Sequence, residues 1–287
     1  MQDHTAGRFT FPGTSLSVNR MGYGAMQLAG KGVFGPARDP DEARAVLREA
    51  VASGIDHIDT ADFYGPHVTN HLIRAALLPY PADLTIVTKI GAYRDDKGGW
   101  IHDLSPDFLR RSVDDNLIHL GLSRMTVVNL RISGPKVDVV PPMKVMRDLQ
   151  DQGLLTHIGI STVTPAQLAA AQDVAPIVTV QNHYNLVHRV DDAMIDSLAA
   201  QGIAYVPYFP LGGFTPIQSV GLQQVAADLG VTPQQVALAW LLQRSPNILL
   251  IPGTSTRKHL RENIAAAGMV LPPESLQVLN GLAKPAR

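Results

Sequence analysis

Three residues are of types that together could move a proton. Asp59 and Tyr64 stand five residues apart in HIDTADFYG, and Lys89 closes LTIVTK. Asp59 and Lys89 each fall where a short apolar run, His57–Asp59 and Leu84–Lys89, gives way to a loop. An ammonium beside a phenol favours the phenolate, so such a Tyr can protonate a carbonyl oxygen near neutral pH. A carboxylate next to the Lys would hold it charged and in place. The plainer alternative is a surface Tyr beside an ordinary Asp–Lys pair, and spacing alone leaves both open.

The elements that must position this trio follow a regular rhythm. Asp39-Pro40, Ser105-Pro106, Thr164-Pro165 and Thr232-Pro233 each pair a capping residue with a proline that costs nothing in the first helical turn. Gly54, Gly121, Gly153 and Gly202 mark helix ends, each followed by a strand-like run. In the first helix Ala43, Val46, Leu47, Ala50 and Val51 form one apolar stripe. Eight strands are predicted: Met21–Gly24, His57–Asp59, Leu84–Lys89, Met125–Leu130, His157–Ser161, Ile177–Gln181, Ala204–Tyr208 and Ile248–Ile251. Most are near-continuous apolar runs, as in strands buried on both faces. Alternation with helices implies parallel strands and right-handed crossovers. The fold class expected is α/β, a (β/α)8 TIM barrel, with a doubly wound open sheet as the alternative. RFTFPGTSLSVN predicts an N-terminal β-hairpin turning at Pro12-Gly13 and plugging the barrel. Pro272–Leu282 predicts an extra outer helix. No linker or low-complexity stretch interrupts residues 1–287, so one domain is expected.

Composition narrows the function classes. With 45% hydrophobic residues among 287, a large core is available. The net charge is −1 and the cations are scattered, which argues against a nucleic-acid partner. There is no cysteine, hence no disulfide or thiolate metal site. The opening MQDHTAGRFT has no apolar core segment, so no secretory signal is expected, and no apolar run is long enough to span a bilayer. A cytoplasmic protein with a small-molecule partner, and no obligate protein partner, is the expectation.

In a barrel of this type the active site lies at the strand C-termini. Those positions carry Gly24 and Met26, Asp59, Lys89, Arg131, Ser161, Gln181, Tyr208, and Gly253 with Thr254. Mutual satisfaction around the rim explains single polar residues there better than it explains a whole ring. The segments GYGAMQL, HIDTADFYG, VTKIG, VQNHYN, FPLGG and IPGTS, with EN eight residues on, resemble those of the aldo-keto reductase family over about Arg20 to Asn263. GYGAMQLAGKGVFGPARD and DFYGPHVTN are most similar to the pyridoxal reductase branch.

The resemblance implies NADPH as hydride donor, lying across the barrel mouth, and a carbonyl compound such as pyridoxal or another aromatic aldehyde as substrate. It implies Tyr64 as general acid, Lys89 as the group that activates it, and Asp59 as the Lys partner. Ser161, Thr162 and Gln181 would hold the carboxamide, and Tyr208 would stack on the nicotinamide, although a strand-end Tyr can equally be core. The loop Pro210, Leu211, Gly212 and Gly213 would pass over the pyrophosphate. Gly253, Thr254, Ser255 and Arg257 would receive the adenosine 2′-phosphate, and Glu262 and Asn263 would contact the adenine. Gly24 and Met26 would complete the cofactor groove.

Two departures from the family pattern stand out. The fourth catalytic position, a His in the family, falls in TVVNLRIS on Arg131. An Arg donates hydrogen bonds but cannot accept them, so it is expected to orient the substrate and add positive charge near Tyr64. Thr162 replaces the family Asn beside Ser161. The substrate pocket is expected from the loop aromatics Phe34, Phe63, Tyr93, Trp100 and Phe214, with His102 nearby, each of which could equally cover the core edge.

Other signals fail their own tests. Gly30-x-Gly32-x-x-Gly35 matches a dinucleotide fingerprint, but Pro36 follows at once and no helix opens there. His67 and His71 have zinc-pair spacing, but the glutamate of HExxH is missing and no third ligand is evident, so no metal is expected. His183 and His188 are expected in loops. Beside the reductase, two readings remain at this point: a Schiff-base aldolase with Lys89 as nucleophile, and a non-catalytic NADPH-binding regulatory protein.

Overall fold

A computed structural model describes residues 6–283. The opening segment, expected to lack a secretory signal, begins with residues 1–5, outside the described residues. In chain order the elements are a hairpin of Arg8–Thr10 (β1) and Ser17–Asn19 (β2), then Tyr23–Gly24 (β3), Pro40–Ala52 (α1), His57–Asp59 (β4), Val68–Leu77 (α2) and Thr85–Ile90 (β5). A second hairpin, Ala92–Arg94 (β6) and Trp100–His102 (β7), precedes Pro106–Leu120 (α3). Met125–Arg131 (β8), Val140–Asp151 (α4), Leu155–Ser161 (β9), Pro165–Gln172 (α5), Ile177–Gln181 (β10), Asp192–Ala200 (α6) and Ala204–Tyr205 (β11) continue the alternation. Val220–Leu229 (α7), Pro233–Arg244 (α8), Arg257–Ala265 (α9) and Pro273–Asn280 (α10) complete the described chain.

The caps form where the sequence predicts helix starts. Asp39 accepts from the amides of Asp41 and Glu42, and Thr164 and Thr232 form capping boxes with Gln167 and Gln235. Ser105 stands at its N-cap without a side-chain bond. Gly54, Gly121, Gly153 and Gly202 all have positive φ, between 68° and 93°, the conformation glycine adopts without cost.

Seven strands pair in parallel in the order β3-β4-β5-β8-β9-β10-β11. The eighth segment, residues 248–251, joins the two edges through parallel bridges, Ile248 to Tyr205 and Leu250 to Met21. Leu249 N donates to Tyr205 O at 3.0 Å, and Gly22 N to Leu250 O at 2.8 Å. These contacts close the (β/α)8 barrel and exclude the open sheet. Pro246 and Pro252 flank the segment and can donate nothing to a ladder, which keeps it to isolated bridges. Strand β11 is likewise shorter than the predicted Ala204–Tyr208, with Tyr208 held by a bridge to His183.

Strand period decides which residues face inward. Ile58, Ile86, Val128, Leu130, Ile158, Ile160 and Val180 join the core between strands and helices. Asp59, Lys89, Arg131, Ser161 and Gln181 occupy the alternate positions and turn toward the barrel interior. Below them Val87, Val127, Ala204 and Leu249 fill the interior together with Phe11 and Val18 of the first hairpin, the plug the sequence predicts. The glycine run forms one tight turn, Lys31–Val33, with Gly30 N bonded to Gly35 O, and the next α-helix starts only at Pro40. Among the described residues no helix is long and apolar enough to cross a membrane.

The seam depends on Arg20. Its guanidinium donates to Ile248 O at 3.1 Å and to Leu242 O and Ser245 O, each at 2.7 Å. Arg20→Ala leaves these carbonyls without their donor and should lower stability by about 2–4 kcal/mol. A urea titration checks this, and an unchanged midpoint would show that water replaces the guanidinium.

Candidate active site

Asp59, Tyr64 and Lys89 are 4%, 5% and 3% exposed, so none is a surface residue. Lys89 Nζ donates to Asp59 Oδ1 at 2.5 Å and to Thr60 O at 2.9 Å. The ammonium lies 5.0 Å from the centre of the Tyr64 ring. Burial works against the Lys89 charge, but the Asp59 carboxylate and the Tyr64 hydroxyl outweigh it and hold the ammonium above the usual lysine range. The loop between β4 and α2 that presents Tyr64 is tied down by Thr60 N to Val87 O at 2.8 Å and Tyr64 N to Ala61 O at 3.0 Å.

The other strand-end residues surround this trio. Gln181 Nε2 donates to Asp59 Oδ2 at 2.9 Å, while its Oε1 is buried with no donor. A buried acceptor of this kind fits a ligand N–H group, such as that of a carboxamide. Ser161 lies beside Arg131 in the β8–β9 register and contacts the Thr162 hydroxyl at 3.3 Å. Thr162 has φ 63°, a left-handed conformation that strains a β-branched residue and suits Asn better. Arg131 extends toward Trp100, its Cζ 5.6 Å from that ring, and its Nε is buried without an acceptor.

A cavity of about 260 Å³ opens at Asp59, Tyr64 and Lys89, and Arg131, Ser161, Thr162 and Gln181 are not among the residues that line it. Its wall brings Gly24, Met26, Tyr208, Pro210, Leu211, Gly213 and Gly253 to Asp59, Tyr64 and Lys89. Gly24 and Gly253 also meet each other across the seam: a Cβ on Gly24 would lie 2.4 Å from Ile251 O, and one on Gly253 would lie 2.7 Å from Gly24 O. Gly212 shapes the overlying loop, with φ 97°. Gln27, Phe209 and Gln234 line the same cavity without having been singled out in the sequence. Gln234 had a legible signal, since it follows Thr232-Pro233 at a helix start.

Thr254 and Ser255 lead into α9, which Arg257 opens and which carries Glu262 and Asn263 in its second half. The Thr254 carbonyl accepts from Tyr23 at 2.6 Å, and Asn263 is buried. Ser255 is exposed, and Glu262 faces Lys258 at 4.0 Å. Arg257 is committed to Glu42, through its backbone N at 3.0 Å and its guanidinium at 3.1 Å. That pairing holds the Glu42 carboxyl below its ordinary range. Nothing in the sequence links residues 215 positions apart.

The aromatics divide. Phe63 packs edge-on against both Tyr64 and Trp100, at 5.3 and 5.7 Å. Arg94, unremarked in the sequence, lies between Trp100 and Phe34, with Cζ 4.1 and 5.4 Å from their centres. It also ties the glycine turn to the second hairpin through Val33 O and Gly98 O, both at 2.6 Å. Tyr93 points the other way. Strand alternation in β6 sends it to the face opposite Arg94, where it packs on Phe108 at 5.4 Å and, with Phe63 and Lys89, lines a second cavity. Phe214 sits across the mouth, 64% exposed, against Phe209. His102 lies near Arg131, and burial followed by that positive charge lowers its pKa.

Known proteins place this arrangement. The family model described as the aldo/keto reductase family matches residues 20–217 and 219–284. The chain is 60% identical to the pyridoxine 4-dehydrogenase of Escherichia coli over 281 residues, covering 96% of this chain and 98% of that protein. It is 38% identical to an uncharacterized oxidoreductase of Schizosaccharomyces pombe, over 90% of this chain and 85% of the relative. A thermostable aldo-keto reductase solved with the inhibitor epalrestat superposes with a TM-score of 0.82 at 27% identity, covering 96% of this chain and 99% of that one. An aldo/keto reductase of Klebsiella pneumoniae solved with NADP and acetate gives 0.79 at 21% identity, with 94% of each chain covered. The barrel, the motifs and these matches agree: the chain belongs to the aldo/keto reductase family and is an oxidoreductase.

Proposed function

We propose that the chain is a single-domain, cytoplasmic, NADPH-dependent reductase that converts an aldehyde or ketone to an alcohol, with pyridoxal to pyridoxine as its foremost substrate pair. The buried Asp59–Lys89–Tyr64 assembly at the cavity floor carries this reading. The name of the Escherichia coli relative supports the substrate.

The cofactor, when bound, supplies the hydride. Tyr64 protonates the carbonyl oxygen, and the Lys89 charge, secured by Asp59, eases the loss of that proton. Gln181 Oε1, a buried acceptor without a donor, would hold the carboxamide together with Ser161 and Thr162, and Tyr208 would bind the nicotinamide. Pro210, Leu211, Gly212 and Gly213 would hold the pyrophosphate. Gly253, Thr254, Ser255 and Arg257 would bind the 2′-phosphate, and Glu262 and Asn263 the adenine. Arg131 donates to the substrate from beside Trp100, while Phe34, Phe63 and Phe214 border a flat ring. A Schiff-base aldolase would need Lys89 neutral, and Asp59 and Tyr64 hold it charged. A regulator without turnover would have no use for a buried phenol–ammonium pair.

Mixing the protein with NADPH and pyridoxal and following the reduced-nicotinamide absorbance tests the reading, which fails if no cofactor is consumed with pyridoxal or any other aldehyde. Tyr64→Phe should lower kcat by about a hundred- to ten-thousandfold while NADPH still binds, as read by its fluorescence. Arg131→Ala should cut kcat/KM for pyridoxal by about tenfold or more, the scale of a lost charge-assisted hydrogen bond; unchanged turnover would remove Arg131 from the site. Because Glu42 competes with a phosphate for Arg257, Glu42→Gln should lower the KM for NADPH by about two- to fivefold, as for one exposed ion pair, and leave that for NADH unchanged.

A further inference from the structure

Three histidines meet on the outer side of the barrel, next to the loop that carries Tyr64. His67 stands at the N-cap of α2 in the left-handed region, with φ 64°. His71 follows one turn later, its amide bonded to His67 O at 3.0 Å. His119 reaches them from the last turn of α3. The His119 ring centre lies 4.4 Å from that of His67 and 4.8 Å from that of His71, and the other two are 6.4 Å apart.

A buried carboxylate organises the cluster. Asp62 meets His67 Nδ1 at 2.7 Å with one oxygen and His119 Nδ1 at 2.8 Å with the other. Asn70 Nδ2 adds a third contact at 3.0 Å, and Asn70 is itself tied to Asn116 at 3.0 Å, so the carboxylate is held in place. A carboxylate only accepts hydrogen bonds. Both Nδ1 atoms therefore carry hydrogen, and in the neutral rings both Nε2 atoms keep a lone pair. An imidazole that donates its second N–H to a carboxylate is the arrangement that orients histidine ligands on metals.

Candidate ligand atoms of Asp62, His67 and His119 lie within 4.8 Å of one another. With metal–nitrogen bonds of about 2.1 Å, two ligands of one ion lie about 3–4 Å apart, a distance reachable by side-chain rotation. His67 and His119 keep their bonds to Asp62, and the exposed His71 is the ring that can turn toward them. The stacked pair His183 and His188 makes a contrast: its rings lie face to face at 4.0 Å and 15°, so their in-plane lone pairs cannot converge on one ion.

We propose that His67, His71 and His119, oriented by Asp62, form a binding site for one divalent cation of the zinc class. Three neutral imidazoles with no thiolate favour borderline metals over Ca²⁺ or Mg²⁺, and the Asp62 charge offsets part of the ion's. The site uses none of the groups assigned to carbonyl reduction. It does share their loop: Asp62 lies two residues before Tyr64 and His67 three after, so a bound ion clasps both flanks of the segment that presents the phenol.

The test uses full-length, untagged, chelator-treated protein titrated with Co²⁺, whose visible absorption strengthens on four-coordinate binding. One saturable equivalent per chain is expected, displaced by Zn²⁺ with loss of the band. His119→Gln and the exposed-site variant His71→Gln should each weaken Co²⁺ binding by about tenfold or more, with circular dichroism confirming that both variants are folded. No saturable band, or an affinity in either folded variant equal to that of the parent, would overturn the site.

Discussion

The ion pair between Lys89 and Asp59 sets the terms for the rest of the molecule. Two charges taken out of water cost several kcal/mol each, and their attraction repays this only when the remaining hydrogen-bonding capacity is also met. Here Lys89 uses Asp59 Oδ1 and Thr60 O, and Asp59 uses its second oxygen for Gln181. The partners come from the ends of β4, β5 and β10, which are not all neighbours in the sheet. Only a closed barrel brings β10 opposite β4, so the residues 248–251 seam supports the chemistry although it never touches the phenol. Gln181 secures Asp59 with one end of its amide and keeps a buried acceptor without a donor at the other.

Thr60, whose carbonyl accepts from Lys89, also belongs to a second network behind the loop that carries Tyr64. Thr60 Oγ1 bonds to Asn70, Asn70 to Asn116, and Thr88 to Asn116, at 2.6–3.0 Å. All of these side chains are buried, and a satisfied buried polar network fixes geometry more tightly than apolar packing does. It ties α2 and α3 to β5 behind the loop that carries Tyr64. The histidine cluster continues this network outward through Asp62. The opposite side of the mouth is built differently, with Phe214 exposed and Arg257 held only by an exposed ion pair to Glu42. The buried network thus stands behind Tyr64, while Phe214 and the Arg257–Glu42 pair lie exposed.

Local chemistry accounts for what was legible in the chain. Thr164-Pro165 and Thr232-Pro233 become capping boxes because the cap and the Gln three residues on are local partners. Asp59, Lys89, Arg131, Ser161 and Gln181 could be assigned to strand ends because apolar runs stop there. Side-chain direction and distant pairing are not legible in this way. One step of strand alternation turns Tyr93 away from Arg94, while it still lines a cavity with Phe63. His119 was invisible as a neighbour of His67 and His71, because only the packing of α3 on α2 brings it within 4.8 Å of His71. Glu42 and Arg257 meet for the same reason, through the contact of α1 with α9.

The sequence by itself determined the eight-unit rhythm, the inward polar ring and the family, since each follows from short-range periodicity, caps and motif residues. Only the tertiary structure decided which oxygen of Asp59 serves Lys89 and which serves Gln181, that Gln181 keeps one acceptor free, and that a carboxylate stands between two histidines from different helices. The physical reason is that hydrogen bonds and ion pairs act over a few ångströms in space, and sequence separation says nothing about which groups barrel closure will place at that distance.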